Sequence, residues 1–257
     1  MLVLLSCAKT MSAVSKVKVP LTTIPRFQKE AAEIALQMSQ FSVDELERLL
    51  RVNAKIAVEN YKRYQAFHAE ATPELPALLA YTGIVFKRLN PKDFSAEDFG
   101  YAQEHLRLTS FCYGLLRPLD VIRAYRLEGD VVLPELGNQT LFSYWRSRLT
   151  DTFIEDIRSA GGILCNLASD EMKSLFDWKR VESEVRVITP EFHVWKNGKL
   201  ATIVVYTKMS RGEMTRFILK NKIGNPEELK GFSWEGFEFD ESLSDERKLV
   251  FINGMGE

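Results

Sequence analysis

The sequence predicts an α+β fold: a mixed β-sheet core with one clear hairpin, surrounded by helices. Three observations carry this. Strand-like and helix-like segments alternate irregularly, without the strict βαβ rhythm of a wholly parallel sheet. A single Asn197-Gly198 pair separates two apolar-rich runs, as in a two-residue hairpin turn where both residues accept positive φ. No internal repeat, low-complexity tract or Pro/Gly/Ser linker interrupts the 257 residues, so residues 1–257 read as one domain.

Taken in order, Leu2 to Leu5 is a short apolar strand. The stretch from Ser6 to Pro25 is irregular, and Arg26 to Met38 has helical spacing of Phe27, Ala31, Ile34, Ala35 and Met38. Ser42-Val43-Asp44-Glu45 is a capping box that starts a second helix, and a third runs from about Asn53 to Phe67. Leu78 to Tyr81 reads as a strand ending in a Thr82-Gly83 turn. Ser95 caps a helix reaching His105, and Leu106 to Ser110 follows as a strand. Leu141 to Ala160 is a long amphipathic helix stopped by Gly161-Gly162, then Ile163 to Leu167 is a strand and Ser169-Asp170-Glu171 opens a short helix. The hairpin joins Val185–Trp195 to Leu200–Tyr206. Met209 to Lys222 is a helix closed by Gly224, and Leu249 to Ile252 is a last strand after an acidic, aromatic segment.

The bulk properties exclude several classes. With 34 basic and 35 acidic residues the net charge is -1, so overall charge gives nucleic-acid binding no support and only local arrangement can. Cys7, Cys112 and Cys165 are widely spaced and odd in number. They offer neither a disulfide framework nor C-x-x-C metal spacing, and suit a reducing, cytoplasmic compartment. Leu2 to Cys7 superficially resembles a lipoprotein signal, but it lacks a basic lead and its apolar run is too short, so a buried strand is expected. No apolar run is long enough for a membrane span. His68, His105 and His193 are isolated, and no Walker A, G-x-G-x-x-G or G-x-S-x-G motif occurs, so neither a metal nor another cofactor is implied.

Polar residues cluster where strands end. If the strands are mostly parallel, Lys9, Asn166, Ser169, Asp170, Glu171, Lys208 and Arg211 meet in one cleft; otherwise they are scattered helix caps. A second cluster holds Arg117-Pro118-Leu119-Asp120 with Arg107 upstream and Arg123, Tyr125 and Arg126 downstream. The guanidinium fork suits phosphate, while Arg117–Asp120 or Arg126–Glu128 pairs would instead staple a loop. Local basicity runs from Lys9 to Lys29 without an acid, and again from Lys208 to Lys222, including Arg216. Cys7 beside Lys9 is either a thiol of lowered pKa or a buried inert one.

The same segments resemble the YaaA family of bacterial peroxide-stress proteins. Ser6-Cys7-Ala8-Lys9-Thr10 is similar to its S-P-A-K-T signature. His105-Leu106-Arg107, Tyr113-Gly114-Leu115-Leu116-Arg117-Pro118-Leu119-Asp120 and Tyr125-Arg126-Leu127-Glu128 resemble its central block. Tyr144-Trp145 falls at its aromatic-Trp pair, Asn166-Leu167-Ala168-Ser169-Asp170-Glu171 at N-L-A-S-x-E, and Lys208 with Arg211-Gly212, Met214 and Arg216 at K-x-A-R-G-x-M-x-R. Gly231-Phe232 through Gly236-Phe237 to Asp240 resembles its closing motif. The chain departs at Cys7 (usually Pro), Ile84 (commonly Asp), Phe111-Cys112 and Gly129. The resemblance implies a family-specific sheet core wrapped by helices and a role in surviving hydrogen peroxide by limiting free iron and the DNA damage it drives. It also implies DNA binding through a basic cleft and a helix-hairpin-helix-like element, whose counterpart here is Leu46 to Tyr64, a segment without glycine.

Two readings of function follow. The first is largely sequence-independent binding of DNA, duplex or distorted duplex, through phosphate contacts from Lys9, Arg107, Arg117, Arg126, Asn166, Ser169, Lys208, Arg211 and Arg216. The alternative is an enzyme acting on a nucleotide, nucleobase or damaged nucleic acid, with Asp120, Asp170 and Glu171 as candidate acid–base groups. Direct iron binding has no supporting ligand motif.

Overall fold

A computed structural model describes residues 1–196 and 198–254. Along the chain the strands are β1 (Leu2–Leu5), β2 (Glu74–Pro76), β3 (Leu106–Ser110), β4 (Gly114–Leu116), β5 (Val121–Arg123), β6 (Val132–Leu133), β7 (Gln139–Thr140), β8 (Ile163–Asn166), β9 (Arg186–Lys196), β10 (Lys199–Ala201), β11 (Phe237–Asp240) and β12 (Lys248–Asn253). The helices are α1 (Gln28–Met38), α2 (Val43–Leu50), α3 (Ala54–Ala66), α4 (Ala77–Ala80), α5 (Ile84–Leu89), α6 (Ala96–His105), α7 (Leu141–Ser159), α8 (Asp170–Lys173), α9 (Trp178–Glu184) and α10 (Val204–Asn221). Among the described residues no helix is long and apolar enough to cross a membrane.

The main sheet has the order β11-β12-β9-β8-β1-β3-β4, with β10 paired to β9. It is mixed, as expected. β3–β1–β8–β9–β12 are mutually parallel, while β4, β10 and β11 run antiparallel to their neighbours. All four residues of β1 are fully buried, which explains its unbroken apolar run: a central parallel strand is covered on both faces. β1 is therefore a core strand. The hairpin pairs Lys196 with Lys199 and Trp195 with Leu200, leaving a two-residue turn in which Gly198 has φ +69°. Asn197, the other half of that expectation, lies outside the described residues.

The capping signals are borne out. The Ser42 side chain accepts from the Glu45 amide at 3.3 Å while Glu45 accepts from the Ser42 amide at 2.8 Å, and Ser95 and Asp98 repeat the arrangement. Helix α7 ends at Ser159, ahead of Gly161-Gly162.

Four expectations need correction. Leu78 to Tyr81 is no strand; Ala77–Ala80 is a buried helical turn, and the strand is the preceding Glu74–Pro76, paired with β5. An Ala-Leu-Leu-Ala run is too short for periodicity to separate helix from strand, and both residue types are strong helix formers. The second hairpin arm stops at Ala201, and α10 begins at Val204, within the β-branched run that read as strand. Lys208 thus stands on a helix. That helix closes at Lys222, which adopts φ +52°, rather than at Gly224. Phe237–Asp240, read only as part of an aromatic segment, is the edge strand β11.

Candidate functional site

The strands β8, β1 and β3 lie side by side and parallel, so their carboxyl ends face one way. Residues leaving those ends are the polar clusters seen in the sequence. β1 feeds Ser6 to Thr10, β3 feeds Phe111, and β8 feeds Leu167 and Ser169 with Glu171 beyond. Helices α5 and α10 and the segment Tyr125 to Leu127 complete a cleft of about 310 Å³. Crevices form at this place because the connections from a central strand diverge to its two neighbours.

Close backbone packing holds the walls. A Cβ on Gly83 would fall 2.9 Å from the Ala8 Cβ, so α5 sits directly against the loop after β1. A Cβ on Gly212 would lie 2.3 Å from the Val85 carbonyl oxygen, so α10 approaches α5 at a distance only glycine permits. This contact aims the preceding turn of α10, with Lys208 and Arg211, at the cleft.

Arg211 is the unusual group. It lines the cleft and its Nε is buried without a hydrogen-bond partner. Burial lowers the guanidinium below its ordinary pKa, opposed by the nearby Asp170 carboxylate. Among the described residues no carboxylate pairs with it, since Asp170 is itself exposed and paired with Lys173 at 2.8 Å. An enclosed guanidinium nitrogen without a partner is unfavourable, and Arg126 Nε on the opposite wall shares that state. Lys208 stands exposed beside it on the cleft wall.

The opposite wall is organised differently. Glu128, buried, accepts from Lys9 Nζ at 2.7 Å and from Arg126 at 3.4 Å, while Arg126 also reaches the Lys9 carbonyl. Lys9 and Arg126 thus line the cleft as a pair clamped by one carboxylate. Between the walls, Ser6 Oγ accepts from the Ser169 amide at 2.9 Å and lies 3.3 Å from Ser169 Oγ. Glu171 is exposed in the cleft. Ile84, Phe86, Phe111, Leu127 and Met172 form an apolar interior.

Burial pushes the Cys7 thiol up to about 12, the opposite of a reactive low-pKa cysteine. Its neighbour Lys9 is spent on Glu128.

The structure therefore brings Lys9, Arg126, Ser169, Glu171, Lys208 and Arg211 together and leaves the other nominated residues elsewhere. Arg107 is buried against Asp156 at 2.6 Å and caps three carbonyls. Arg117 binds Asp120 through two side-chain nitrogens, and buried Asp120 also accepts from Thr23 at 2.6 Å, so this motif is the loop staple. Arg216 forms a two-pronged pair with Asp93 at 2.6 and 2.8 Å. Asn166 is buried and its Oδ1 accepts from the Ala168 amide, shaping the turn after β8, while its Nδ2 has no partner. Asp170 lies at the surface with Lys173. Sequence reasoning missed Ser6 and Glu128 as site residues, although both sit inside motifs already singled out. It also missed the apolar interior, which long-range packing alone assembles.

In Leu46 to Tyr64 the two expected helices are present as α2 and α3. Arg51 supplies the left-handed turn residue at φ +51° in place of glycine, and the Arg51 and Val52 amides are spent on the carbonyls of Arg48 and Glu47. None of these residues lines the cleft. Among the described residues no group of three His, Cys, Asp or Glu side chains could hold a metal ion.

Comparison with known proteins agrees with the motifs. A family model described as peroxide stress protein YaaA matches residues 1–243. The chain is 98% identical over 257 residues to a UPF0246 protein of Bacteroides thetaiotaomicron, covering 100% of both chains. It is 79% identical to a UPF0246 protein of Bacteroides fragilis, again over 100% of both. A UPF0246 protein of Crocosphaera subtropica is 38% identical over 98% of this chain and 100% of that one. With a whole-length match of motifs, family model and relatives, the chain belongs to the peroxide stress protein YaaA family.

Proposed function

We propose that this peroxide-stress family member binds DNA, seating backbone phosphate against Lys208 and Arg211 in the cleft, with Lys9 and Arg126 flanking the opposite wall. The observation that carries this reading is Arg211: a half-buried arginine whose enclosed Nε has no hydrogen-bond partner and which forms no ion pair among the described residues, next to the exposed Lys208. Phosphate suits such a site because the guanidinium fork donates in parallel to two oxygens. The alternative anchors, Arg107, Arg117 and Arg216, are consumed by Asp156, Asp120 and Asp93 and take no part. Contacts of this kind hold the backbone without reading sequence.

Enzymatic action on a nucleotide is the second reading, and it now rests on Glu171, the one nominated carboxylate that lines the cleft. Glu171→Gln that retains DNA affinity but abolishes base release or hydrolysis would favour it.

The direct test is fluorescence anisotropy of labelled duplex across a salt series. Lys208→Ala should reduce the slope of log affinity against log salt by about one. A wild-type protein that binds no DNA at low salt overturns the proposal.

A further inference from the structure

We infer that the cleft receives a single nucleotide of DNA turned out of the base stack, its phosphate on Arg211 and Lys208 and its base against the apolar interior. This rests on the DNA-binding reading and specifies what enters the site.

Three features carry it. The first is depth. A phosphate on the outside of a regular duplex is served by exposed lysines, whereas Arg211 is recessed and its Nε is fully enclosed. A backbone drawn inward by an extruded nucleotide reaches it more fully than one running over the cleft mouth. The second is lining. A phosphate clamp has no use for Ile84, Phe86, Phe111, Leu127 and Met172, yet these side chains line the same cleft. Proteins that take a base out of the stack hold it between aromatic and apolar side chains. The third is size: about 310 Å³ is at the small end of ligand sites, suited to one nucleotide and far too small for a base pair in a helix.

Two other hollows formed by the described residues lack this combination: one of about 330 Å³ sets Arg146 and Arg180 against Asp151 and Asp177. The second, of about 240 Å³ between β9 and the C-terminal segment, pairs Arg186 and Lys230 with Glu227, Glu241, Asp245 and Glu246, so its cations are matched or outnumbered by carboxylates.

The experiment measures affinity for an intact duplex and for the same duplex carrying one unpaired nucleotide, at fixed salt. An unpaired base is the least costly to extrude. Wild-type protein should prefer the bulged DNA on the order of tenfold, and Ile84→Trp, which fills the interior, should lose that preference while still binding intact duplex. Thr10→Trp, at an exposed position lining the same cleft, narrows it from outside the buried core and should behave alike. Equal affinity of wild type for both DNAs overturns the inference and leaves DNA binding standing. A preference that survives both tryptophans also overturns it, by placing the unpaired base elsewhere. Absence of binding to either DNA overturns the parent reading as well. Free deoxyadenosine monophosphate is added as competitor: failure to displace bulged DNA at micromolar concentration supports a nucleotide held within DNA, and efficient displacement overturns that source.

Discussion

Helix α10 carries two arginines in opposite surroundings. Arg211, towards its start, faces the cleft, with a buried Nε and no carboxylate partner. Arg216, nearer its end, grips both oxygens of Asp93 and two carbonyls of the α5 terminus, and Lys220 beside it pairs with Asp98 at 2.7 Å. The first half of the helix is therefore held in an electrostatically unfinished state, and the second half is tied down. Gly212, pressed on the Val85 carbonyl, lies where one regime passes to the other. The comparison teaches that residue type and local basicity do not identify a binding cation. What identifies it is whether the fold supplies a counter-charge.

The largest effect should come from breaking a tied-down cation. Asp120 is fully buried and accepts from the Thr23 hydroxyl, the Arg117 amide and the Arg117 guanidinium. Asp120→Ala strands those donors and should cost about 3–5 kcal/mol, or roughly 10 °C in Tm, read by thermal unfolding. DNA affinity of the folded fraction should not change. Loss of affinity with Tm intact would break the comparison, because it would move Arg117 into the interface.

The two arginines of α10 sharpen it next, through effects of opposite sign. Arg211→Met keeps much of the volume and removes a desolvated charge. It should weaken DNA binding about 10- to 100-fold, the value of a charge-assisted contact. It should leave Tm unchanged or raise it, since no protein partner is lost. Arg216→Ala should lower stability by only about 1 kcal/mol, because Asp93 is half exposed, and leave DNA affinity alone. If Arg211→Met instead destabilises the fold and Arg216→Ala weakens binding, the assignment of the two is reversed.

Much of the frame was legible beforehand. The capping boxes, the buried β1, the hairpin and the stop after α7 each rest on local chemistry, which sequence displays directly. The convergence of Lys9 and Ser169 was legible only as a condition on strand direction, which the parallel β8-β1-β3 arrangement satisfies, whereas Lys208 and Arg211 reach the same cleft from helix α10 and not from a strand end. What could not be read was partnership. Arg107 and Asp156, or Arg216 and Asp93, are distant in sequence, and nothing local says that these arginines are neutralised while Arg211 is not. The misread stretches, Ala77–Ala80 and the start of α10, are short apolar runs whose form is decided by what packs around them.

The smallest expected effect concerns Cys7, which sits on the cleft wall in a family named for peroxide stress. The structure makes it a poor peroxide sensor. Oxidation and alkylation need the thiolate, and burial holds this thiol at about 12. Relative to an ordinary thiol near 8.5, that leaves roughly three-thousandfold less thiolate at neutral pH. Iodoacetamide should therefore label Cys7 far more slowly in the folded protein than in urea, and Cys7→Ala should keep the DNA affinity of the wild type. The same shift fixes a sign for stability. The folded state holds this proton more tightly than the unfolded chain does. The associated stability is fully present below the unfolded thiol's pKa and is lost as pH rises towards 12. Cys165, also raised by burial to about 12, shares this dependence. The unfolding midpoint should thus fall as pH climbs above about 8.5, and less steeply in Cys7→Ala. Rapid labelling at neutral pH, or sulfenic acid forming at Cys7 on mild peroxide treatment, would instead mark the cleft as redox-responsive and tie peroxide directly to the wall proposed to meet DNA.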